Sequence, residues 1–329
     1  MKTYRIPLSD LTVSRIAYGC ALLAAWDRRP LQADEVVKAT RLVHTAYDHG
    51  ITFFDLANYY SFHKAEIAFG QVLKLSPGLR HRIVIQSKCG VIIGDDTRPD
   101  GWFFPDCSET HIVSAVEDSL RRLGADYLDI LLLHWPDILV RPQEVAAALE
   151  KLKRSGKVRH FGVSNHTVSQ IERLRKAVEE PLVINQIHLS LGTSYLIAGG
   201  LAKLWNAARG MEDYTQLAAT LDYCCANDMQ VQAYSPLRGS LLKPPPEAAP
   251  EIKTAAAALA ELAVKKGTNA SAVALAWLLH HPAGIVPIVG STTPEHLIEN
   301  CAADTVSLTH EEWYRLLLST LRTAPQKST

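Results

Sequence analysis

The sequence has no excess of charge of either sign, since 34 lysines and arginines balance 34 aspartates and glutamates over 329 residues. A balanced chain produces no long-range field that would attract nucleic acid or an anionic membrane. It also has no run approaching the ~20 consecutive apolar residues that a spanning helix requires. Met1–Pro7 lacks the apolar stretch of a secretory signal. These absences predict a protein that binds neither nucleic acid nor membranes.

Cysteine is sparse, with six residues and no Cys-x-x-Cys pair to indicate a zinc site or a dithiol redox motif. We interpret these residues as reduced thiols of a cytoplasmic protein. A Gly-x-Gly-x-x-Gly turn is also absent, which argues against the open-sheet dinucleotide-binding fold. Apolar residues nonetheless make up 47% of the chain and charged residues 21%, a composition typical of a folded globular protein.

Eight short β-rich runs alternate with helical patterns along almost the whole chain. Most runs are apolar without polar alternation, which is typical of parallel strands buried on both faces. The predicted strands are Ile16–Tyr18, Ile51–Asp55, Ile83–Lys88, Ile130–His134, His160–Ser164, Val183–Gln186, Val231–Tyr234 and Ile285–Val289. The clearest helices between them are Ala33–His49, Glu109–Leu123, Gln143–Lys153 and Val168–Glu179. This alternation predicts a (β/α)8 TIM barrel forming a single domain over residues 1–329.

Three segments fall outside this pattern. The proline-rich stretch Lys243–Glu251 is only long enough for a surface loop. A longer loop at about residues 190–215 follows the sixth strand, and loops of that length are usually lids or mobile segments. The tail from about residue 323 is predicted to be frayed.

Four reactive side chains stand at or near the ends of consecutive predicted strands, where a barrel of this kind carries its active site. Asp55, Lys88 and His134 end the second, third and fourth strands. Tyr60 follows Asp55 by five residues. Taken singly, each has an ordinary structural explanation, as a helix cap, a solvated strand end, a core histidine or a packing residue. Their joint placement favours a catalytic group that needs no metal.

Seven short motifs accompany these residues along the chain. They are Phe54–Tyr60, Gln86–Lys88, His134–Asp137, Gly156–Asn165, Asn185–Gln186, Ala233–Leu237 and Pro287–Ser291. In this order and spacing, over roughly residues 5–320, the chain resembles the aldo/keto reductase family, and most closely its bacterial members with a His-x-Pro-Asp motif. The resemblance implies a cytoplasmic barrel, monomeric or weakly associated, that uses NADP(H) to reduce small aldehydes or ketones to alcohols.

The resemblance also implies a role for each of the four residues. Tyr60 would donate a proton to the carbonyl oxygen while the cofactor supplies a hydride to the carbon. Lys88 would favour the phenolate and so lower the pKa of Tyr60, and Asp55 would hold the Lys88 ammonium in place. His134 would orient and polarise the carbonyl.

Cofactor contacts follow from the same resemblance. Those expected at the nicotinamide are Ser164, Asn165, Gln186 and Tyr234. Those expected at the pyrophosphate are Ser235, Leu237, Arg238 and Ser240. Those expected near the 2′-phosphate and the adenine are Gly290, Ser291, Thr292, His296, Glu299 and Asn300. Without the resemblance, Ser164 and Asn165 are equally typical of a helix cap, and Tyr234 of core packing.

The sequence departs from the family at the 2′-phosphate. Residues 290–300 contain no lysine or arginine, and His296 stands where many members have an arginine. We therefore expect NADPH to be used with weak discrimination against NADH, which leaves NAD(H) as a possible cofactor. NADPH should bind more tightly in mildly acidic solution, where an imidazole gains its proton. A basic residue elsewhere, such as Arg238, is the alternative source of charge.

Substrate contacts and two other functions remain open. Trp26, Trp102, Phe103 and Trp135 fall in rim loops, where they either line an apolar pocket or pack the loops. One alternative is a metal-dependent barrel hydrolase using His134 and His188, although the first strand lacks the usual His-x-His pair. The other is a catalytically weak barrel that senses a cofactor or binds a partner.

Overall fold

A computed structural model describes residues 1–94, 103–194, 197, 215–237 and 239–321. Trp102 and Arg238 lie outside the described residues, as does most of the loop predicted at about residues 190–215. The tail predicted from residue 323 lies outside them as well.

Eight parallel strands close into a barrel, and each is hydrogen-bonded to the next one along the chain. They are β3 (Ala17–Gly19), β4 (Phe53–Asp55), β5 (Val84–Cys89), β8 (Leu128–Leu133), β9 (Val158–Ser164), β10 (Leu182–His188), β11 (Gln230–Tyr234) and β12 (Val286–Val289). Two antiparallel hairpins are added to the barrel. They are β1 (Thr3–Arg5) with β2 (Thr12–Ser14), and β6 (Val91–Ile93) with β7 (Phe103–Pro105). The predicted single-domain TIM barrel is therefore confirmed.

Helices follow the barrel strands and pack outside them. Their bounds are α1 (Ala33–Asp48), α2 (Lys64–Leu75), α3 (Glu109–Leu123), α4 (Pro142–Arg154), α5 (Val168–Arg175), α6 (Thr215–Ala226), α7 (Gly239–Leu242), α8 (Pro250–Lys266), α9 (Ala270–His280), α10 (Pro294–Cys301) and α11 (His310–Leu321). Among the helices, two boundaries differ from prediction by more than one residue. Helix α5 ends at Arg175 rather than Glu179, and α8 begins inside the predicted Lys243–Glu251 loop because Pro250 occupies a first-turn position, where proline is favourable.

The barrel interior is apolar at its N-terminal end. Ile6, Leu11 and Val13 from the β1–β2 segment form one buried cluster with barrel residues such as Phe53 and Val286. A larger apolar cluster includes residues of both strands and helices. One end of the barrel is thus filled with apolar side chains, and polar side chains are placed at the other.

The turn that carries Tyr60 leads into α2, which packs unusually close to α3. A Cβ on Gly70 would lie 2.3 Å from the carbonyl oxygen of Arg122, so only glycine allows this approach. Beside it, buried Glu66 accepts hydrogen bonds from Ser87 Oγ at 2.6 Å and from Arg122 Nε at 2.8 Å. These contacts fix α2 against β5. Within the described part of the chain, no helix has the length and apolar character to span a bilayer.

Candidate active site

The four predicted catalytic residues meet at the C-terminal end of the barrel. Lys88, in β5, donates to Asp55 Oδ2 at 2.7 Å, to Tyr60 Oη at 2.9 Å and to the Leu56 carbonyl at 2.9 Å. These three acceptors use all three protons of the ammonium, which is fully buried. His134 follows β8, and its ring centroid lies 5.6 Å from that of Tyr60. The carboxylate, the ammonium, the phenol and the imidazole therefore lie together at this end of the barrel, where they form the floor of the candidate site.

Burial and a neighbouring charge dominate the electrostatics of Tyr60, and the lowering of its pKa expected from Lys88 is only one contribution. Desolvation raises the pKa of Tyr60 well above 10, and the Asp55 carboxylate raises it further. The Lys88 ammonium favours the phenolate but does not reverse these two effects. Tyr60 is consequently a protonated phenol at neutral pH, which is the form that a proton donor requires.

His134 is held as a neutral imidazole. Burial lowers its pKa well below 6.5, and the nearby Lys88 cation adds to that effect. Its Nδ1 is buried and has no hydrogen-bond partner among the described residues. The Tyr59 ring stacks on the imidazole, with centroids 4.8 Å apart. This arrangement leaves Nε2 as the ring nitrogen that can donate to a ligand.

Tyr60 is followed directly by a left-handed turn, and none of the residues in this turn is a glycine. Ser61, Phe62 and His63 have φ values of 50°, 55° and 72°. Such a conformation costs roughly 1–2 kcal/mol for each non-glycine residue, so other contacts must hold it. The Ser61 hydroxyl lies 2.9 and 2.8 Å from the carbonyl oxygens of Ala21 and Ala24. These contacts tie the turn to the loop after β3.

An aromatic rim surrounds this floor. Trp26, which is 43% exposed, makes edge contacts with Tyr59, Tyr60 and Phe62 at centroid distances of 6.1, 6.3 and 5.9 Å. Tyr59 also contacts Phe103 at 5.5 Å and Trp135 at 6.0 Å. Of the predicted substrate residues, Trp135 lines the main cavity and Trp26 lines a smaller one beside it.

The main cavity has a volume of about 970 Å³ and runs from this floor to α10. It brings together most of the predicted site residues. Those that line it are Asp55, Tyr60, His134, Trp135, Asn165, Gln186, Tyr234, Ser235, Leu237, Gly290, Ser291, His296, Glu299 and Asn300. Lys88 and Ser164 lie beneath the surface, and Thr292 lines the smaller cavity beside Trp26. Ser240 belongs to α7.

The wall formed by β9, β10 and β11 has the hydrogen-bonding groups of an amide-binding surface. Asn165, with φ of 61°, accepts from Tyr234 Oη at 3.0 Å and donates to Ser164 Oγ at 3.1 Å. Gln186 donates through Nε2 to Asp55 Oδ1 at 3.0 Å. Its Oε1 has no partner among the described residues, so it can accept from an amide in the cavity. The wall therefore fits the nicotinamide carboxamide that the resemblance implies.

Several cavity residues were not identified from the sequence. Lys243 lines it after α7, and Asn269 and Ser271 line it at the start of α9. Asn269 caps that helix by accepting a hydrogen bond from the Ala272 N–H at 2.8 Å. An Asn directly before an apolar helical run is a typical N-cap signal, so this position could be predicted from the sequence. Lys243 gave no signal, because it lies in the proline-rich stretch interpreted as a surface loop.

The geometry gives no support to a hydrolytic metal site. Across the described ranges, no group of three or more His, Cys, Asp or Glu side chains is arranged to hold a metal ion. His188 stacks on Tyr234 instead, with ring centroids 5.3 Å apart and planes 24° from parallel.

Comparison with known proteins identifies the family of this chain. Residues 15–317 match the model of the aldo/keto reductase family. The chain is 36% identical to the uncharacterized oxidoreductase YcsN of Bacillus subtilis, covering 95% of this chain and 96% of that protein. It is 34% identical to a 6-dehydroglucose reductase of Novosphingobium aromaticivorans, covering 94% and 93%. The solved glycerol dehydrogenase of Gluconobacter oxydans is 26% identical, with a TM-score of 0.80 over 99% of this chain and 98% of that one. This chain therefore belongs to the aldo/keto reductase family.

Proposed function

We propose that this protein reduces aldehyde or ketone carbonyls to alcohols with NADPH, and that Tyr60 is the proton donor. The observation that carries the proposal is the Lys88 ammonium, which lies 2.9 Å from Tyr60 Oη and 2.7 Å from Asp55 Oδ2 at the base of the cavity. A buried cation at this distance stabilises the phenolate that remains after the proton has moved. A merely structural phenol would not need that neighbour.

The bound nicotinamide supplies a hydride to the carbonyl carbon. Tyr60 gives its phenolic proton to the carbonyl oxygen, which completes the alcohol. Lys88 stabilises the resulting phenolate until solvent returns a proton, and Asp55 keeps the ammonium aligned. Neutral His134 donates an Nε2–H hydrogen bond to the same carbonyl oxygen, because its Nδ1 is buried without a partner.

Residues of the amide-binding wall orient the nicotinamide. Gln186 would accept a hydrogen bond from the carboxamide NH₂, and Asn165 and Ser164 would complete the polar wall around it. Tyr234 packs on the ring, and its hydroxyl is fixed by Asn165 at 3.0 Å. Ser235 and Leu237, which line the cavity, would hold the pyrophosphate, and Ser240 and Arg238 belong to the same segment of the chain.

We propose a preference for NADPH that depends on Lys243. This exposed lysine lines the same cavity as His296, and within the described residues it makes no ion pair. It supplies the cation that residues 290–300 lack, and Ser291 and the N-terminus of α10 add neutral donors. NADH is used less well, because it offers no phosphate to these groups.

The physiological setting follows from the same chemistry. Nicotinamide cofactors are intracellular, and all six cysteines are free thiols, which suits a reducing cytoplasm. We propose a monomer or weak homo-oligomer that acts on small carbonyl compounds. The aromatic rim formed by Trp26, Tyr59 and Trp135 suits the apolar face of a sugar or an aromatic aldehyde.

Steady-state oxidation of NADPH, followed at 340 nm with a panel of aldehydes, ketones and oxo-sugars, tests the proposal. Oxo-sugars are included because one relative is a 6-dehydroglucose reductase. We expect turnover on at least one member of the panel and its loss in Tyr60→Phe. Tight NADPH binding without oxidation on any member would favour a cofactor-sensing barrel instead.

A further inference from the structure

A layer of three buried glutamines lies beneath the active site. Gln86 of β5, Gln186 of β10 and Gln232 of β11 are at most 1% exposed. Burying an amide is unfavourable unless its groups are hydrogen-bonded, and an apolar layer would stabilise the barrel at least as well. Each of these amides therefore needs hydrogen-bond partners within the layer.

Two of the glutamines converge on one oxygen of Asp55. Gln86 Nε2 donates to Asp55 Oδ1 at 2.6 Å, and Gln186 Nε2 donates to the same atom at 3.0 Å. The other oxygen, Oδ2, accepts from Lys88 at 2.7 Å. The carboxylate is thus clamped, with amides on one oxygen and the ammonium on the other.

Gln232 fixes the orientation of both donors. Its Oε1 accepts from Gln86 Nε2 at 2.9 Å and from Gln186 Nε2 at 2.8 Å. Its Nε2 donates back to Gln86 Oε1 at 3.0 Å. Because an ionised carboxylate can only accept, and Gln232 Oε1 can only accept, each amide must turn its NH₂ toward Asp55.

We propose that Gln86 and Gln232 are positioning residues that hold Asp55 and, through Lys88, make Tyr60 an effective proton donor. The proposal rests on the proposed carbonyl reduction. It also makes the amide-binding wall and the proton donor one hydrogen-bonded unit, since Gln186 belongs to both. Neither Gln86 nor Gln232 lines the cavity, so neither touches the cofactor or the substrate.

Loss of the Gln86 hydrogen bond to Asp55 should raise the pKa of Tyr60. The Asp55 carboxylate raises the pKa of Tyr60, and it does so less when its charge is shared with amide donors. Removing the Gln86 donor leaves more of that charge to act on Lys88 and Tyr60. The phenolate is then less stable, so Tyr60 becomes a weaker acid and its ionisation moves to higher pH.

Gln86→Met tests this, because it keeps the side-chain length and removes both hydrogen-bonding groups. Gln230→Met is the matched control. Gln230 is also fully buried in β11 and accepts from Gln232 at 3.2 Å, but it has no hydrogen bond to Asp55. The measurements are kcat and KM from pH 5 to pH 12 and the Kd of NADPH from fluorescence quenching. The range extends above pH 10 because the pKa of Tyr60 lies there, and circular dichroism at each pH shows that the protein is folded.

For Gln86→Met we expect kcat to fall about 10- to 100-fold, as for a misplaced catalytic group. The alkaline limb of its profile should move up by about half a pH unit, while KM and the Kd of NADPH stay within about threefold. Gln230→Met should keep kcat and the limb of the wild type. An unchanged Gln86→Met profile, or an equal change in Gln230→Met, overturns the proposal.

If Gln86→Met does not fold, Gln86→Glu replaces it. Its carboxyl group can donate to Asp55 only while it is protonated, so activity should fall as the pH rises from 5, unlike the wild type. A wild-type profile in that variant overturns the proposal. Failure of the proposed function is separate, since it is seen in wild-type protein that oxidises no NADPH. If the wild type oxidises no NADPH, the ionisation of Tyr60 can still be followed through its ¹³Cζ resonance in the NADP⁺ complex. We expect this ionisation to lie about half a pH unit higher in Gln86→Met than in the wild type.

Discussion

Lys88 Nζ donates to Tyr60 Oη at 2.9 Å, although one residue lies inside a barrel strand and the other in the turn before α2. The contact exists because a left-handed turn at Ser61–His63 directs Tyr60 back over β5. It joins the only fully buried lysine of the described residues to a phenol at the cavity wall.

Tyr60→Phe should reduce carbonyl reduction by about 10²–10⁴-fold, because it removes the donated proton and keeps the ring. NADPH binding should be nearly unchanged. Tyr59→Phe is the natural control, since the neighbouring tyrosine loses the same atom but has no hydrogen bond to Lys88. Its activity should stay within about threefold of the wild type. Near-wild-type turnover in Tyr60→Phe would remove Tyr60 from the mechanism.

Lys88→Met should abolish activity and lower stability together. The substitution leaves the Asp55 charge buried without its partner, which costs about 3–5 kcal/mol in the free energy of unfolding. Adding Asp55→Asn to the same chain removes that charge, so the double variant should regain much of the stability but none of the activity. Urea unfolding and NADPH oxidation separate the two effects. A double variant as unstable as Lys88→Met would show that the ion pair is not the cause.

Any residual activity of Lys88→Met should have an altered pH profile. Without the cation the phenolate is less favoured, so the alkaline limb should lie at higher pH than in the wild type. An unchanged limb would argue against coupling between Lys88 and Tyr60.

Lys243→Met should raise the Kd of NADPH about tenfold, the value of one charge-assisted contact to phosphate. The Kd of NADH should change less than twofold, because NADH lacks the 2′-phosphate. Lys74→Met removes the same charge from the end of α2, away from the cavity, and should change neither value. Equal losses for NADPH and NADH would place Lys243 at the pyrophosphate instead.

His166 should make stability depend on pH. Burial lowers its pKa from 6.5 to about 4, so the unfolded chain takes up the proton first as the pH falls. The contribution is fully present above pH 6.5 and is lost progressively between pH 6.5 and pH 4, by roughly 3 kcal/mol in total. His166→Gln should therefore flatten the fall in unfolding free energy over this range. His81→Gln, on an exposed residue, should leave the slope unchanged.

Much of the fold could be predicted because its signals are local. Runs such as Ile130–Leu133 are apolar at every position, which only a strand buried on both faces explains, and all eight predicted strands overlap barrel strands. Helix α3 begins and ends at the predicted residues because Ser108 caps it and Gly124, with φ of 61°, terminates it.

The candidate site was predictable only in part. Asp55, Lys88 and His134 could be found because strand ends meet at one edge of a barrel. The glutamines could not, because Gln86 and Gln232 are 146 positions apart and only barrel closure brings them together. Nor could the left-handed turn, since serine, phenylalanine and histidine carry no signal for positive φ. The net rise in the pKa of Tyr60 could not be predicted either, because its desolvation depends on packing that the sequence does not show.

The central claim is that hydride transfer is coupled to a proton from Tyr60. Its most direct test is a single turnover with NADPH deuterated at nicotinamide C4, using wild type, Tyr59→Phe and Tyr60→Phe and analysing the product by mass spectrometry. The account predicts deuterium on the carbinol carbon of the alcohol from wild type and Tyr59→Phe, and no labelled alcohol from Tyr60→Phe on the same time scale. Labelled alcohol formed equally fast by Tyr60→Phe, or none formed by the wild type, would contradict it.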